Sequence, residues 1–168
     1  MYITSKKSGS YFSKRKKNFL VENKKKVAKV PKNALIELTN ACNHACVFCA
    51  NPKMNRSVSH LSIETYSNFV QKCVDEKVQE LGLYSTGDPF MTKNLFEFIK
   101  IAKEKGISRV YITTNGALAN FNNAKKCIDS GLDSIKFSIN AATKKSYEII
   151  HGHDDFEKVI KNITDIYE

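Results

Sequence analysis

The chain has 168 residues, of which 42% are hydrophobic and 26% charged, as is usual for a soluble globular protein rather than a disordered one. This length suffices for one domain with its own hydrophobic core. No apolar run reaches the roughly 18 residues that a membrane-spanning helix needs, and the N-terminus lacks the apolar stretch of a secretory signal. We therefore expect a cytoplasmic protein with no membrane span.

The net charge of +10 is concentrated at the N-terminus. Residues 1–32 contain eleven Lys or Arg and one acid, Glu22, whereas the rest of the chain has sixteen basic and sixteen acidic side chains. We interpret residues 1–32 as a flexible basic extension and residues 33–168 as the folded domain. Such an arm could bind nucleic acid or anionic lipid. Because no aromatic interleaving or groove-reading motif accompanies the lysines, a solvated extension is favoured.

Hydrophobic periodicity predicts strands that alternate with helices along the folded domain. The predicted strands are 33–39, 79–84, 109–113 and 133–139. The predicted helices are 62–77, 92–105, 117–130, a short one capped by Thr143 and a last one starting near Phe156, with Ser62 as the cap of the first. This order predicts an α/β fold whose parallel sheet has right-handed crossovers, in four strand–helix units.

An unusual polar segment follows each predicted strand. These four segments are the cysteine loop after the first strand and residues 85–89, 113–116 and 138–140 after the other three. In parallel sheets the loops that leave the carboxyl ends of the strands share one rim, where binding and catalysis are concentrated. We therefore expect the four segments to meet.

Three of the five cysteines lie within eight residues, as Cys42, Cys46 and Cys49 in a C-x3-C-x2-C loop. Without an export signal, a disulfide framework is not expected, and Cys73 and Cys127 are interpreted as small buried apolar groups. Three close thiolates can converge on one metal centre. A [4Fe–4S] cluster normally takes four cysteines, so three would leave one iron open to a small molecule.

Two other metal sites are weighed against this interpretation. Zinc would need a fourth ligand such as His44 or His60, although His44 lies awkwardly between two of the cysteines. A ferredoxin-like electron carrier would need a fourth cysteine at suitable spacing. Two further histidines, His151 and His153, precede acidic residues at a predicted helix start, where a capping role is favoured over a catalytic one.

The cysteine loop and its lead-in at residues 37–42 resemble the radical S-adenosylmethionine (SAM) superfamily. The resemblance implies a partial TIM barrel of which about four of six units are present, leaving the fourth strand as an unpaired edge. It also implies a [4Fe–4S] cluster and SAM as cofactors, with reductive cleavage of SAM to a 5′-deoxyadenosyl radical that abstracts hydrogen. The expected partners are a flavodoxin- or ferredoxin-type reductant and an unidentified substrate.

The resemblance also implies roles for individual residues. The three cysteines correspond to cluster ligands, and Phe48 to an aromatic that packs near the SAM adenine, although the residue alone could equally be a core aromatic. The segment Thr86-Gly87-Asp88-Pro89 resembles the family's G-G-E-P stretch, which contacts the methionine amino group, while Asp88 could instead cap its turn. The remaining expected contacts to SAM or substrate are Thr113, Asn115, Ser138 and Asn140.

The segment from Ser138 to Gly152, together with residues 156–163, resembles one branch of that superfamily. The branch includes molybdenum-cofactor biosynthesis protein A and enzymes with a C-terminal SPASM domain that carries auxiliary clusters. Its members modify peptides, sugars and other small metabolites, which are the substrate classes implied here. An alternative expectation is a non-catalytic module that binds cluster and SAM without turnover.

Overall fold

A computed structural model describes residues 2–4 and 30–168, which form one five-stranded sheet with five α-helices. The strands are β1 (Tyr2–Thr4), β2 (Asn33–Leu35), β3 (Glu80–Gly82), β4 (Arg109–Thr114) and β5 (Ser134–Phe137). Their order across the sheet is β1-β5-β4-β3-β2, and β2 to β5 run parallel. The expected parallel α/β fold is confirmed.

The edge of β5 is paired, which corrects the prediction of an open edge there. The short strand β1 lies antiparallel to β5, with Tyr2 opposite Lys136 and Thr4 opposite Ser134. The edge strand on this side of the sheet is therefore β1 rather than β5. Part of the predicted extension is thus strand, while its residues 1 and 5–29 lie outside the described residues, so their predicted flexibility stays a prediction.

The helices are α1 (Ile63–Asp75), α2 (Leu95–Glu104), α3 (Phe121–Asp129), α4 (Lys144–His151) and α5 (Phe156–Tyr167). Two predicted caps are confirmed, because the Ser62 side chain accepts from the Thr65 amide and the Thr143 side chain from the Ser146 amide. Each cap satisfies an amide that has no partner within its helix. Among the described residues, no helix has the length and apolar character needed to cross a bilayer.

Two helices begin later than the sequence predicts, one after a 3-10 turn and the other at a side-chain cap. A 3-10 turn at Pro89–Met91 precedes α2, which starts only after Asn94. The start of α3 is set by Asn120, whose side chain accepts from the Asn123 amide. Residues that bond their own backbone in this way favour turns and caps over helix interiors.

The two faces of the sheet differ in burial. In β4 the residues Val110 and Ile112 are fully buried in the core, whereas Arg109, Tyr111 and Thr113 alternate with them and are only partly buried. We call the side of the sheet that carries Tyr111 and Thr113 the open face. The helices cover the opposite side, so the rim at the carboxyl ends of β2 to β5 borders the open face.

Candidate metal and cofactor site at the sheet rim

The cysteine loop leaves β2 and brings three thiols to the rim. Cys42, Cys46 and Cys49 are all partly buried and unpaired by disulfides. Burial, followed by the proximity of the other two thiols, raises the pKa of Cys46 to about 11. Burial likewise raises the pKa of Cys42, and the nearby Asp88 and Cys49 raise it further. A metal that binds these thiols must therefore displace their protons.

The other two cysteines lie in the hydrophobic core, as predicted. Cys73 is in α1 and Cys127 in α3, and both are buried among apolar side chains. Burial raises the pKa of both thiols, that of Cys127 to about 12. They behave as small apolar groups rather than as ligands.

Asp88 joins the second rim segment to the third. The residue is 3% exposed, and its carboxylate accepts from the Phe90 amide at 3.0 Å, from Thr114 Oγ1 at 2.7 Å and from the Asn115 amide at 2.9 Å. Burial raises the pKa of Asp88, and these three donors oppose that rise. The turn-capping alternative for Asp88 describes its side chain correctly, because each oxygen is already bonded within the protein.

Gly87 lets the second rim segment approach the start of the cysteine loop. A Cβ atom at Gly87 would overlap the carbonyl oxygens of Thr39 and Ala41. The next amide, that of Asp88, donates to Ala41 O at 2.9 Å. No side chain fits between these backbones, so the close approach requires glycine.

Asn115 fixes the third rim segment to the cysteine loop. Its Nδ2 donates to Asn43 Oδ1 at 2.9 Å and lies 3.9 Å from Cys42 Sγ, while its Oδ1 accepts from the Ala117 amide. Both ends of this side chain are therefore engaged. Thr113 differs, because within the described residues its buried hydroxyl has no partner.

The fourth rim segment reaches the cysteine loop through α4. Ser138 is partly buried and its amide donates to Thr114 O at 2.8 Å, whereas Asn140 is exposed. The Asn140 amide donates to His151 Nε2 at 3.4 Å, and His151 Nδ1 lies 3.5 Å from Cys46 Sγ. All four rim segments thus meet, as the positions of the polar clusters predicted.

Phe48 lies on the surface of the cysteine loop and is not a core aromatic. Its side chain is 63% exposed, and its ring meets the His151 ring edge-on at 6.3 Å between centroids. An exposed aromatic face beside three thiols is available to stack on a flat ligand.

A charged network that the sequence reasoning missed stands on the same rim. Glu37 accepts from the Thr86 amide at 3.0 Å and from the Thr86 hydroxyl, and pairs with Arg56 Nη2 at 2.6 Å. Burial raises the pKa of Glu37, but the hydrogen bonds from Thr86 and Arg56 and the charge of Arg56 outweigh this effect and hold that pKa below its usual value. Asn51 adds a second link by donating to Asn40 O and to Thr86 O.

The histidines are arranged differently from the sequence prediction. His151 is the last residue of α4 and is buried, and Asp155 precedes α5 without a side-chain capping bond. Instead, Asp155 Oδ2 lies 3.3 Å from His44 Nε2 and 3.0 Å from His153 Nδ1. The predicted capping role is therefore wrong, because Asp155 contacts imidazoles rather than the amides of the next turn.

The described part of the chain contains two groups of three potential metal ligands, and within each group the ligand atoms lie within 4.8 Å of one another. They are His44, Cys46 and His151, and His44, His153 and Asp155. His44 is common to both and is already bonded to Asp155. Neither group contains more than one of the three loop thiols, and the exposed His60 belongs to neither. A zinc site made of the three loop thiols and one histidine, which the zinc alternative requires, is therefore not among these groups.

Comparison with curated proteins gives relatives of known class. A probable GTP 3′,8-cyclase of Sulfurisphaera tokodaii is 32% identical over 130 residues, which cover 77% of this chain and 41% of the relative. The 7,8-dihydro-6-hydroxymethylpterin dimethyltransferase of Methanocaldococcus jannaschii is 30% identical over 135 residues, covering 77% of this chain and 27% of the relative. The chain spans about two fifths or less of the length of these relatives.

Solved structures share the fold. BtrN in complex with AdoMet and 2-DOIA superposes with a TM-score of 0.66 at 18% identity, over 84% of this chain and 56% of BtrN. SuiB of Streptococcus suis bound to precursor peptide SuiA gives a TM-score of 0.67 at 18% identity, over 92% of this chain and 35% of SuiB. These likenesses support the partial-barrel architecture.

The family assignment covers most of the chain. Residues 36–168 match the family model described as the Radical SAM superfamily, and this match begins just before the lead-in to the cysteine loop. The cofactors of this family are a [4Fe–4S] cluster and SAM, which the three-thiol rim fits. The chain belongs to the radical SAM superfamily.

Proposed function

We propose that Cys42, Cys46 and Cys49 hold a [4Fe–4S] cluster and that the surrounding rim binds SAM for reductive cleavage. When bound, the cluster supplies the electron that splits SAM into methionine and a 5′-deoxyadenosyl radical, which abstracts hydrogen from an organic substrate. The observation that carries this proposal is that the three thiols share one loop, which is hydrogen-bonded to the other three rim segments. Three protein ligands leave one iron for SAM.

The protein's contribution is to position SAM beside the open iron and to keep water away. We assign direct SAM contacts to the rim groups that remain available. These are the exposed ring of Phe48, the hydroxyl of Thr113, which has no partner among the described residues, and the side chains of Ser138 and Asn140. Thr86 and Gly87 would face the methionine end, as the family's loop does.

Two of the predicted contact residues are better suited to positioning than to binding. The polar atoms of Asp88 and Asn115 are already bonded to neighbouring rim segments. We therefore propose that they hold the second and third segments in register with the cysteine loop. Their exchange would disturb SAM binding by moving the loops.

Substrate and electron donor belong to the proposal as well. The relatives named GTP 3′,8-cyclase, and the SuiB structure with its precursor peptide, support a small metabolite or a peptide as the substrate class. We propose a flavodoxin- or ferredoxin-type protein as the reductant. A one-electron donor of low potential is what reduction of such a cluster requires.

The test is anaerobic reconstitution with iron and sulfide, followed by metal analysis and addition of dithionite and SAM. We expect about four irons per chain, from the cluster type, and release of 5′-deoxyadenosine. Replacing the three loop cysteines by serine should abolish iron binding. The matched control, Cys73→Ala with Cys127→Ala, should retain it because both lie in the core. One zinc per chain in place of iron would overturn the proposal, and a cluster with SAM binding but no deoxyadenosine would make the chain a non-catalytic module.

A further inference from the structure

His151 is a buried imidazole held beside one of the loop thiols. It is 1% exposed, and its ring stacks on that of Tyr147 with 4.1 Å between centroids and 15° between planes. Its Nδ1 atom lies 3.5 Å from Cys46 Sγ. The Phe48 ring meets it from another side, so the imidazole is enclosed on several sides.

The hydrogen-bond partners of His151 determine its tautomer. Nε2 lies 3.4 Å from the backbone nitrogen of Asn140, and a backbone amide can only donate. Nε2 must therefore accept with its lone pair, so the proton of the neutral ring is on Nδ1. That N–H points at the Cys46 sulfur, which is left as the acceptor.

The backbone around this pair fixes its geometry. The Ala45 amide donates to His151 O at 3.2 Å, and the Val47 amide donates to Ile150 O at 2.9 Å. These two bonds flank Cys46 and tie the cysteine loop to the end of α4. Gly152 follows with φ of 64°, and a Cβ there would lie 2.8 Å from Ala45 O. The close contact and the left-handed φ both favour glycine.

We propose that His151 is a positioning residue that donates an N–H···S hydrogen bond to Cys46 and raises the reduction potential of the cluster. This inference rests on the proposed function, in which Cys46 is a cluster ligand. A donor to a ligand sulfur stabilises the more negative, reduced state more than the oxidised one. The hydrogen bond therefore makes the cluster easier to reduce without His151 touching SAM or substrate.

The test is a potentiometric titration of the reconstituted protein, followed by EPR of the reduced cluster. His151→Phe retains a ring on Tyr147 but removes the donor, and we expect a more negative potential. A shift on the order of tenfold in the reduced-to-oxidised ratio at fixed potential corresponds to about 59 mV for one electron. His151→Asn places an amide N–H near the position of Nδ1 and should recover much of the shift.

Tyr147→Phe is the matched control. Its hydroxyl has no partner in the described part of the structure, so the potential should stay at the wild-type value. Equal potentials in wild type and His151→Phe, or an equally low potential in His151→Asn, would overturn the inference while leaving the cluster assignment intact. A wild-type protein that binds no iron would instead refute the proposed function.

A second measurement needs no substitution and covers the case in which a variant fails to assemble. In wild-type protein labelled with [15N]histidine, pulsed EPR of the reduced cluster should detect a coupled histidine nitrogen. The nitrogen signal should be accompanied by a coupled proton that exchanges in deuterium oxide. A cluster signal without either coupling would overturn the inference.

Discussion

Replacing Asp88 by asparagine tests whether one carboxylate holds two rim segments together. In the native protein Oδ1 accepts from the Phe90 amide at 3.0 Å, and Oδ2 accepts from Thr114 Oγ1 at 2.7 Å and from the Asn115 amide at 2.9 Å. An asparagine side chain has a single acceptor oxygen. Its NH2 group must therefore face at least one of these donors.

The magnitude follows from the better of the two amide orientations, in which the NH2 group faces Phe90. Leaving that buried amide without an acceptor costs about 1–3 kcal/mol. The bonds from Thr114 and Asn115 change from charge-assisted to neutral, with a loss of about 0.5–1.5 kcal/mol each. The variant also escapes the burial penalty that raises the pKa of Asp88, which offsets part of the loss. We expect a net loss of about 2–4 kcal/mol in unfolding free energy.

Urea unfolding of the cluster-free protein measures this loss. With a slope of about 2 kcal/mol per molar, the midpoint should fall by about 1–2 M. The control is Asp129→Asn, because Asp129 is exposed and pairs with Lys125 at 2.9 Å, an arrangement worth about 0–1 kcal/mol. Wild-type stability in Asp88→Asn would refute the structural role. If such a stable variant failed to bind SAM, Asp88 would be a ligand contact instead.

Three further predictions concern the same rim and the core behind it. The pKa of Glu37 is lowered from 4.5, so the stabilising contribution of the Glu37 carboxylate is present above pH 4.5 and is lost as the pH falls through the folded-state pKa. The difference in unfolding free energy between wild type and Glu37→Gln, measured in urea, should therefore be clear at pH 7 and disappear in acid. Gly87→Ala should unfold at a much lower urea concentration and lose cluster binding, because its Cβ would overlap backbone carbonyls. The control Gly106→Ala, at a φ of 103° with no atom within 4 Å of the added Cβ, should lose only about 1 kcal/mol of unfolding free energy through backbone strain. Equal losses in the two variants would show that overlap is not the cause. Tyr66→Phe should raise the unfolding free energy by about 1 kcal/mol, since the buried hydroxyl of Tyr66 has no partner among the described residues. Tyr111→Phe should lower the unfolding free energy by a similar amount, because it loses the hydrogen bonding between the Tyr111 hydroxyl and Asn33. Thermal unfolding compares the two variants, and a destabilised Tyr66→Phe would contradict the argument.

Periodicity and caps predicted the order of the elements correctly from residue 33 onward. Ser62 and Thr143 were identified as caps because short polar side chains directly precede helical apolar patterns. The predicted strand 33–39 was longer than the observed Asn33–Leu35, because its later residues leave the ladder for the cysteine loop. The pairing of residues 2–4 with β5 was missed, since a three-residue strand carries too little pattern.

The candidate site was predicted less completely, because its bonds join residues far apart in the chain. No local pattern shows that Glu37 reaches Thr86 or that Asn115 reaches Asn43. His151 is different, because it follows Tyr147 by four residues and so lies on the same helix face. Tyr147 is fully buried, and this spacing could have indicated that His151 is buried too. The helix-start interpretation hid that signal.

The rim shows why membership of a family motif does not by itself make a residue a ligand contact. Asp88 and Asn115 are predicted SAM contacts on the family resemblance, yet their polar atoms are satisfied by neighbouring loops. Thr113 occupies a comparable position with a buried hydroxyl that lacks a partner among the described residues. A buried hydroxyl left unbonded costs free energy that a bound ligand can recover. Residues whose polar atoms are already hydrogen-bonded within the protein shape the site, whereas residues with an unbonded polar atom can bind a ligand. Thr113 is therefore a better candidate for ligand contact than Asp88 or Asn115.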